Sequence, residues 1–279
     1  MKSKLLLSFL LAAAVPAQDA DLGAAVTTTL SQIRAEPEAY KNVKVDMTVQ
    51  FVSLGRIANP FFTKFTPTEY ANFYVWGDEQ PIWREKAYED VCGTMFLAKD
   101  NAQVEQLYRL DLYTRLKVSG VVRNTFQNTP WIEVLSFEVL PQKIDTSVLA
   151  HLYRGEKHMG ERQWQRAIAE LQRVSGSGVP EAAMIAAHGN LGTCLLRIGE
   201  ADKALPFLQS ASAMSKGKDL QIQAMLELAQ VAPAKAIDRN ANVATLRDSE
   251  RPMWEAFDAD KKMPVRNRPA GNPAAAPQR

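Results

Sequence analysis

The stretch from Thr114 to Leu140 constrains this chain more than any other. Two runs of alternating apolar and polar residues flank a polar turn, Asn124–Thr129, and Pro130 opens the second run. Such alternation turns one face of each run toward a core and the other away from it, which is the pattern of a β-hairpin. The hairpin closes a strand-rich region of about a hundred residues, a usual domain size. Everything after it has helical periodicity.

Upstream, Ala24–Ala35 reads as a helix stopped by Pro37, within a lead-in that spans residues 22–42. Val43, Val45, Met47, Val49 and Phe51 then alternate with polar partners as a first strand. A long loop, Ser53–Thr68, holds Phe61, Phe62 and Phe65. Ala71–Trp76 and Val91–Ala98 are the second and third strands, and Asn101–Leu112 carries Val104, Leu107, Tyr108 and Leu112 at helical spacing. The order of three strands, a helix and two strands resembles the OB-fold, a five-stranded partly open barrel. The resemblance rests on Val43–Phe51, Phe73–Trp76, Gly120 in the fourth strand and Trp131–Val134, and covers about residues 38–142. A glycine in that strand suits the sharp bend of a small barrel.

From Thr146 the period becomes helical. His188–Leu195, followed by Gly199, Ala204, Leu208 and Ala211, resembles a tetratricopeptide repeat, with a weaker copy around Gly155, His158, Ala167 and Leu171. Small residues let antiparallel helices approach, and large ones fill between them. A further amphipathic segment, Asp219–Gln230, would cap the stack. Two repeats are fewer than such an array normally needs, so the stack is expected to lean on the barrel or on a second copy. The expected fold class is therefore α+β in two domains: a five-stranded OB-like barrel over 43–142, then a tetratricopeptide-type helical hairpin stack over 146–231. Residues 232–260 read as a helical or irregular extension, with Pro252–Phe257 a short docking helix. Residues 261–279 read as a disordered Pro/Ala-rich tail with five basic residues and no acid.

The N-terminus supplies an address. Lys2 and Lys4 precede the apolar run Leu5–Val15, and Val15-Pro16-Ala17 offers small residues before Gln18. This pattern is that of a cleaved secretory signal peptide over residues 1–17, and the expected location is periplasmic or extracellular. No later run approaches the length of a membrane span. Cys92 and Cys194 lie in different expected domains, each in an apolar pattern, and are expected as buried free thiols rather than a disulfide.

The chain offers little for chemistry. It has neither a Walker A loop nor a G-x-G-x-x-G. The adjacent carboxylates Asp78-Glu79 and Glu89-Asp90 fall near turns, without the burial that splits an acid/base pair. His151 and His158 are separated by two helical turns, about 10 Å, too far to chelate one ion unaided. The expectation is a non-enzymatic protein without cofactor or metal.

The aromatic residues carry the alternative. If Phe73 and Val75 point inward, Tyr74 and Trp76 point outward from the second strand. With Phe61 and Phe62 they would form a stacking surface for an oligosaccharide or single-stranded nucleic acid, unless the N-terminal helix or the repeat helices cover these rings, which is the favoured reading because exposed aromatic patches are uncommon on monomers. Over residues 43–140, ten Lys/Arg stand against twelve Asp/Glu; a single-strand binder normally presents a positive groove, so nucleic acid is disfavoured. The tetratricopeptide resemblance implies instead a binding or scaffold protein for a protein or peptide partner. The groove residues would be Arg154, Lys157, Asn190 and Arg197, and self-association stays open.

Overall fold

A computed structural model of the chain describes residues 22–57, 64–176 and 178–231. The expected signal peptide over residues 1–17, Phe61 and Phe62, the expected docking segment Pro252–Phe257 and the stretch 261–279 lie outside the described residues.

Six strands form one mixed sheet. They are β1 (Val26–Thr27), β2 (Lys44–Gly55), β3 (Tyr70–Gly77), β4 (Cys92–Ala98), β5 (Thr114–Phe126) and β6 (Thr129–Lys143). The order is β1-β2-β3-β4-β6-β5, and β5 also pairs with β2. Two pairings are parallel, β1 with β2 and β4 with β6. The hairpin turns on Gln127 and Asn128, at φ 50° and 57°. Paired positive φ values of this kind give the two-residue turn whose twist matches that of the flanking strands.

Among the described residues three short α-helices and a 3₁₀ helix (Pro37–Tyr40) lie among the strands: α1 (Leu30–Ala35), α2 (Glu85–Glu89) and α3 (Val104–Tyr108). Thr29 and Gln32 close a reciprocal capping box at the start of α1, so the β-branched run before it is free to pair as β1. Five longer helices follow: α4 (Thr146–Gly160), α5 (Trp164–Leu171), α6 (Glu181–Arg197), α7 (Ala201–Met214) and α8 (Leu220–Val231). Asp145 caps α4 by accepting from the Val148 amide at 2.8 Å. Asp219 caps α8, accepting from Gln221 and Ile222.

The sheet contributes to two large buried clusters and to a small third one of Phe65, Phe96 and Trp131. Val45, Val49, Phe73, Val75, Leu116, Val118 and Ile132 face inward, closed by Leu30, Ile33 and Leu107 from α1 and α3. The other cluster joins Val52, Trp76, Trp83, Tyr88 and Tyr113 to the apolar stripes of α4–α8, including Leu152, Leu171, Leu191, Cys194 and Leu208.

These observations correct the expected fold class. One mixed six-stranded sheet stands in place of the five-stranded OB-like barrel. No tetratricopeptide hairpin stack is shown: α4–α8 pack their apolar stripes into one continuous cluster with residues of the sheet and its loops. The reason is physical: periodicity shows that a face is apolar but not which element covers it, and a two-residue strand is too short for any period to register.

Candidate cleft between the sheet and the helices

The most developed concavity lies where the loop before α2 meets α6 and α8. It encloses ≈ 770 Å³. Pro81 and Trp83 line it from the sheet side, Ile185, Ala186, Gly189 and Asn190 from α6, and Leu220, Ile222 and Met225 from α8. A Cβ on Gly189 would stand 3.2 Å from the Ile222 side chain, a tight contact between α6 and α8.

One buried carboxylate holds this junction together. Glu156 of α4, 6% exposed, accepts from the Trp83 indole nitrogen at 2.8 Å. It also accepts from Arg84 Nε at 2.7 Å and Arg84 Nη2 at 3.0 Å. Asn190 Nδ2 adds a fourth, longer contact at 3.4 Å. A guanidinium fork on a carboxylate is among the stronger side-chain pairings. Both carboxylate oxygens are thus already taken. Glu156 is a clamp between the loop before α2 and helix α4. The cleft offers apolar walls with a mixed-charge rim of Glu79, Lys218 and Asp219.

The structure scatters the residues singled out from sequence. Strand alternation holds in β3, with Phe73 and Val75 in the inner cluster and Tyr74 and Trp76 on the opposite face. Yet Trp76 is completely buried. Its indole donates to the Tyr88 carbonyl at 2.9 Å, and its ring lies 4.9 Å from Tyr88 and 5.6 Å from Tyr113. Tyr74 is partly buried, and burial raises its pKa. The stacking surface that the alternative reading needs on that face is therefore largely covered, as expected if other elements pack over these rings. Phe65, from the same loop as Phe61 and Phe62, is buried against Phe96 at 4.3 Å.

Of the expected groove residues, Asn190 lines the cleft and Arg154 and Lys157 are exposed on α4. Arg197 is buried at the far end of α6 and lines a different cleft. The four do not converge. Trp83, Arg84 and Glu156 were missed. Glu156 had a signal: it falls on the buried stripe of α4, seven residues after Leu149 and three before Met159, where a charge implies a buried partner.

The histidines are tied into helix packing. His151 Nδ1 lies 2.7 Å from Glu170, linking α4 to α5, and His188 Nδ1 lies 3.0 Å from Ser210, linking α6 to α7. Burial lowers the His188 pKa, which favours its neutral form. Among the described residues no group of three His, Cys, Asp or Glu side chains is placed to hold a metal ion. Cys92 and Cys194 are buried free thiols, and burial pushes Cys194 up to about 12. No helix among the described residues is long and apolar enough to cross a membrane. Comparison with protein-family models, curated proteins and solved structures finds no match for this chain.

Proposed function

We propose that this chain is a non-catalytic binding or scaffold protein that acts after export, and that it receives an amphipathic peptide segment of a partner protein in the cleft between the Pro81–Arg84 loop, α6 and α8. One observation carries the reading. Leu220 is 82% exposed at the rim of a cleft walled by Ile185, Ala186, Ile222 and Met225. Large apolar side chains left open beside an apolar concavity favour docking of a partner's apolar row. The pairing of Glu156 with Arg84 and Trp83 supports a structural role for that carboxylate beside the cleft. Polymer stacking on Tyr74 and Trp76 loses its main anchor, since Trp76 has no exposed surface.

The test is site-specific photocrosslinking in the producing cell. A benzophenone side chain at position 220 should capture a discrete protein partner that the same group at the exposed sheet position 117 does not. Ile185→Glu in the cleft wall should abolish that adduct. Equal capture from both positions, or an adduct indifferent to Ile185→Glu, would refute the reading.

A further inference from the structure

The segment Pro252–Phe257 belongs to the stretch of chain that departs from α8, and α8 is one wall of the apolar cleft. We propose that Met253–Phe257 of this same chain seats in the cleft between the Pro81–Arg84 loop, α6 and α8, and closes it until a partner peptide displaces it. This rests on the reading of that cleft as a seat for an amphipathic peptide.

Val231 ends α8 and is the last described residue. An exposed apolar row runs back along this helix from the point of departure to the cleft mouth. It comprises Val231, 76% exposed, Leu228, 38% exposed, Ala224, and Leu220, 82% exposed. Steps of three and four residues keep these side chains on one stripe of a helix. From Leu220 to Val231 is about 16 Å along the axis. The 21 residues of 232–252 join Val231 to Met253, and a chain of that length reaches up to about 70 Å. The segment can therefore return along the row to the cleft without strain. A tether of this kind holds it at an effective concentration of the order of millimolar, so a contact that is weak between separate molecules is populated within one.

The chemistry of the segment matches the cleft. Trp254 and Phe257 are the two aromatic residues of 232–279. Met253, Trp254 and Phe257 have the spacing of one helical face, with Glu255 on the opposite side. Apolar grooves take amphipathic segments by anchors at i, i+3 and i+4, and Trp is enriched among the anchors that dominate such contacts. Each aromatic side chain carries about 150–250 Å² of surface to bury. A cleft of ≈ 770 Å³ walled by Pro81, Ile185, Ile222 and Met225 offers the apolar cover for both rings.

The experiment places the benzophenone side chain at position 220 of the purified full chain, where the native side chain is exposed. After irradiation, mass spectrometry should find an adduct within one chain, joined to the peptide that holds Met253–Phe257, in a yield unchanged on dilution. W254A/F257A should keep the wild-type far-UV circular dichroism and lower that yield at least about tenfold, the effect of losing one anchor side chain. The same group at position 117 should give no such adduct. In the producing cell, W254A/F257A should raise the capture of the partner at position 220. Four results would each overturn the proposal: no adduct to that segment, an adduct that survives W254A/F257A, an adduct at twice the chain mass, which would assign the apolar row to a second copy, or partner capture that W254A/F257A leaves unchanged. If the cell yields no partner while the adduct within one chain forms, the partner reading fails and the contact within the chain stands.

Discussion

The indole nitrogen of Trp83 donates to Oε1 of Glu156 at 2.8 Å, joining residues 73 positions apart in the chain. Arg84, next in sequence, grips the same carboxylate with two further donors. The loop before α2 is thereby bolted to α4, and the floor of the apolar cleft depends on that bond.

Removing the carboxylate should therefore loosen the joint. Glu156→Ala removes the acceptor of the Trp83 N–H and two hydrogen bonds of Arg84. Breaking a fully buried pair costs about 3–5 kcal/mol, but the Arg84 side chain is 35% exposed and can turn to water, so about 2–3 kcal/mol is expected. Glu156→Gln keeps an acceptor and should cost about half as much. Urea denaturation of both variants checks the order.

Trp76 should behave as a core residue. In Trp76→Phe the Tyr88 carbonyl loses its indole donor and the cluster with Tyr113 loses volume, for about 2–3 kcal/mol. Iodide should quench the emission of the wild-type protein no more at this site than in a fully buried indole. A difference spectrum between wild type and Trp76→Phe, with and without iodide, reads it directly.

Close helix contact should make Gly192 intolerant of a methyl group. A Cβ there would stand 2.5 Å from Cγ of the buried Leu208, across the α6–α7 contact. Overpacking costs about 1–3 kcal/mol, against about 1 kcal/mol gained in helix propensity. Gly192→Ala is expected to lower the melting temperature, whereas Gly178→Ala, with nothing within 4 Å of its added Cβ, should not. Thermal melts of the two variants side by side decide the matter.

Alkaline pH should destabilise the fold. Burial raises the Cys194 thiol from 9.0 to about 12, and burial likewise raises Tyr113 from 10.0 to about 12, partly offset by its bond to Tyr88. Both groups stay protonated in the folded chain while the unfolded chain loses protons. Their contribution is complete below the unfolded pKa values and is lost as pH climbs from about 9 toward 12. Each group removes about 1.4 kcal/mol per pH unit within its window. Urea midpoints at pH 8, 10 and 11 should fall in that order, and Cys194→Ala should flatten the first part of the decline.

Local elements were legible where the pattern was long. The alternation Val43–Phe51 became β2 over Lys44–Gly55, and the hairpin became β5 and β6 with its turn narrowed to Gln127-Asn128. Shorter signals were misread. The helix expected over Asn101–Leu112 is only Val104–Tyr108, and the one expected over Ala24–Ala35 begins at Leu30, because Val26 pairs with Val45 in β2. Helix α2 went unseen, since five residues are too few for a helical period. Within the cleft, Asn190 was picked out, but Trp83 and Arg84 gave no local sign of their partner.

The amino-acid sequence by itself determined which residues turn to one side of a strand or helix. Phe73 and Val75 separate from Tyr74 and Trp76 by the period of two, and Asp145 and Asp219 mark helix starts by hydrogen bonds that reach only three residues. What covers those faces was decided only by tertiary structure. Trp76 is buried because Tyr88 and Tyr113 close over it, and Glu156 is a clamp because Arg84 arrives from 72 residues away. Periodicity is a property of neighbours along the chain. Burial and pairing are settled between segments that meet only when the chain has folded.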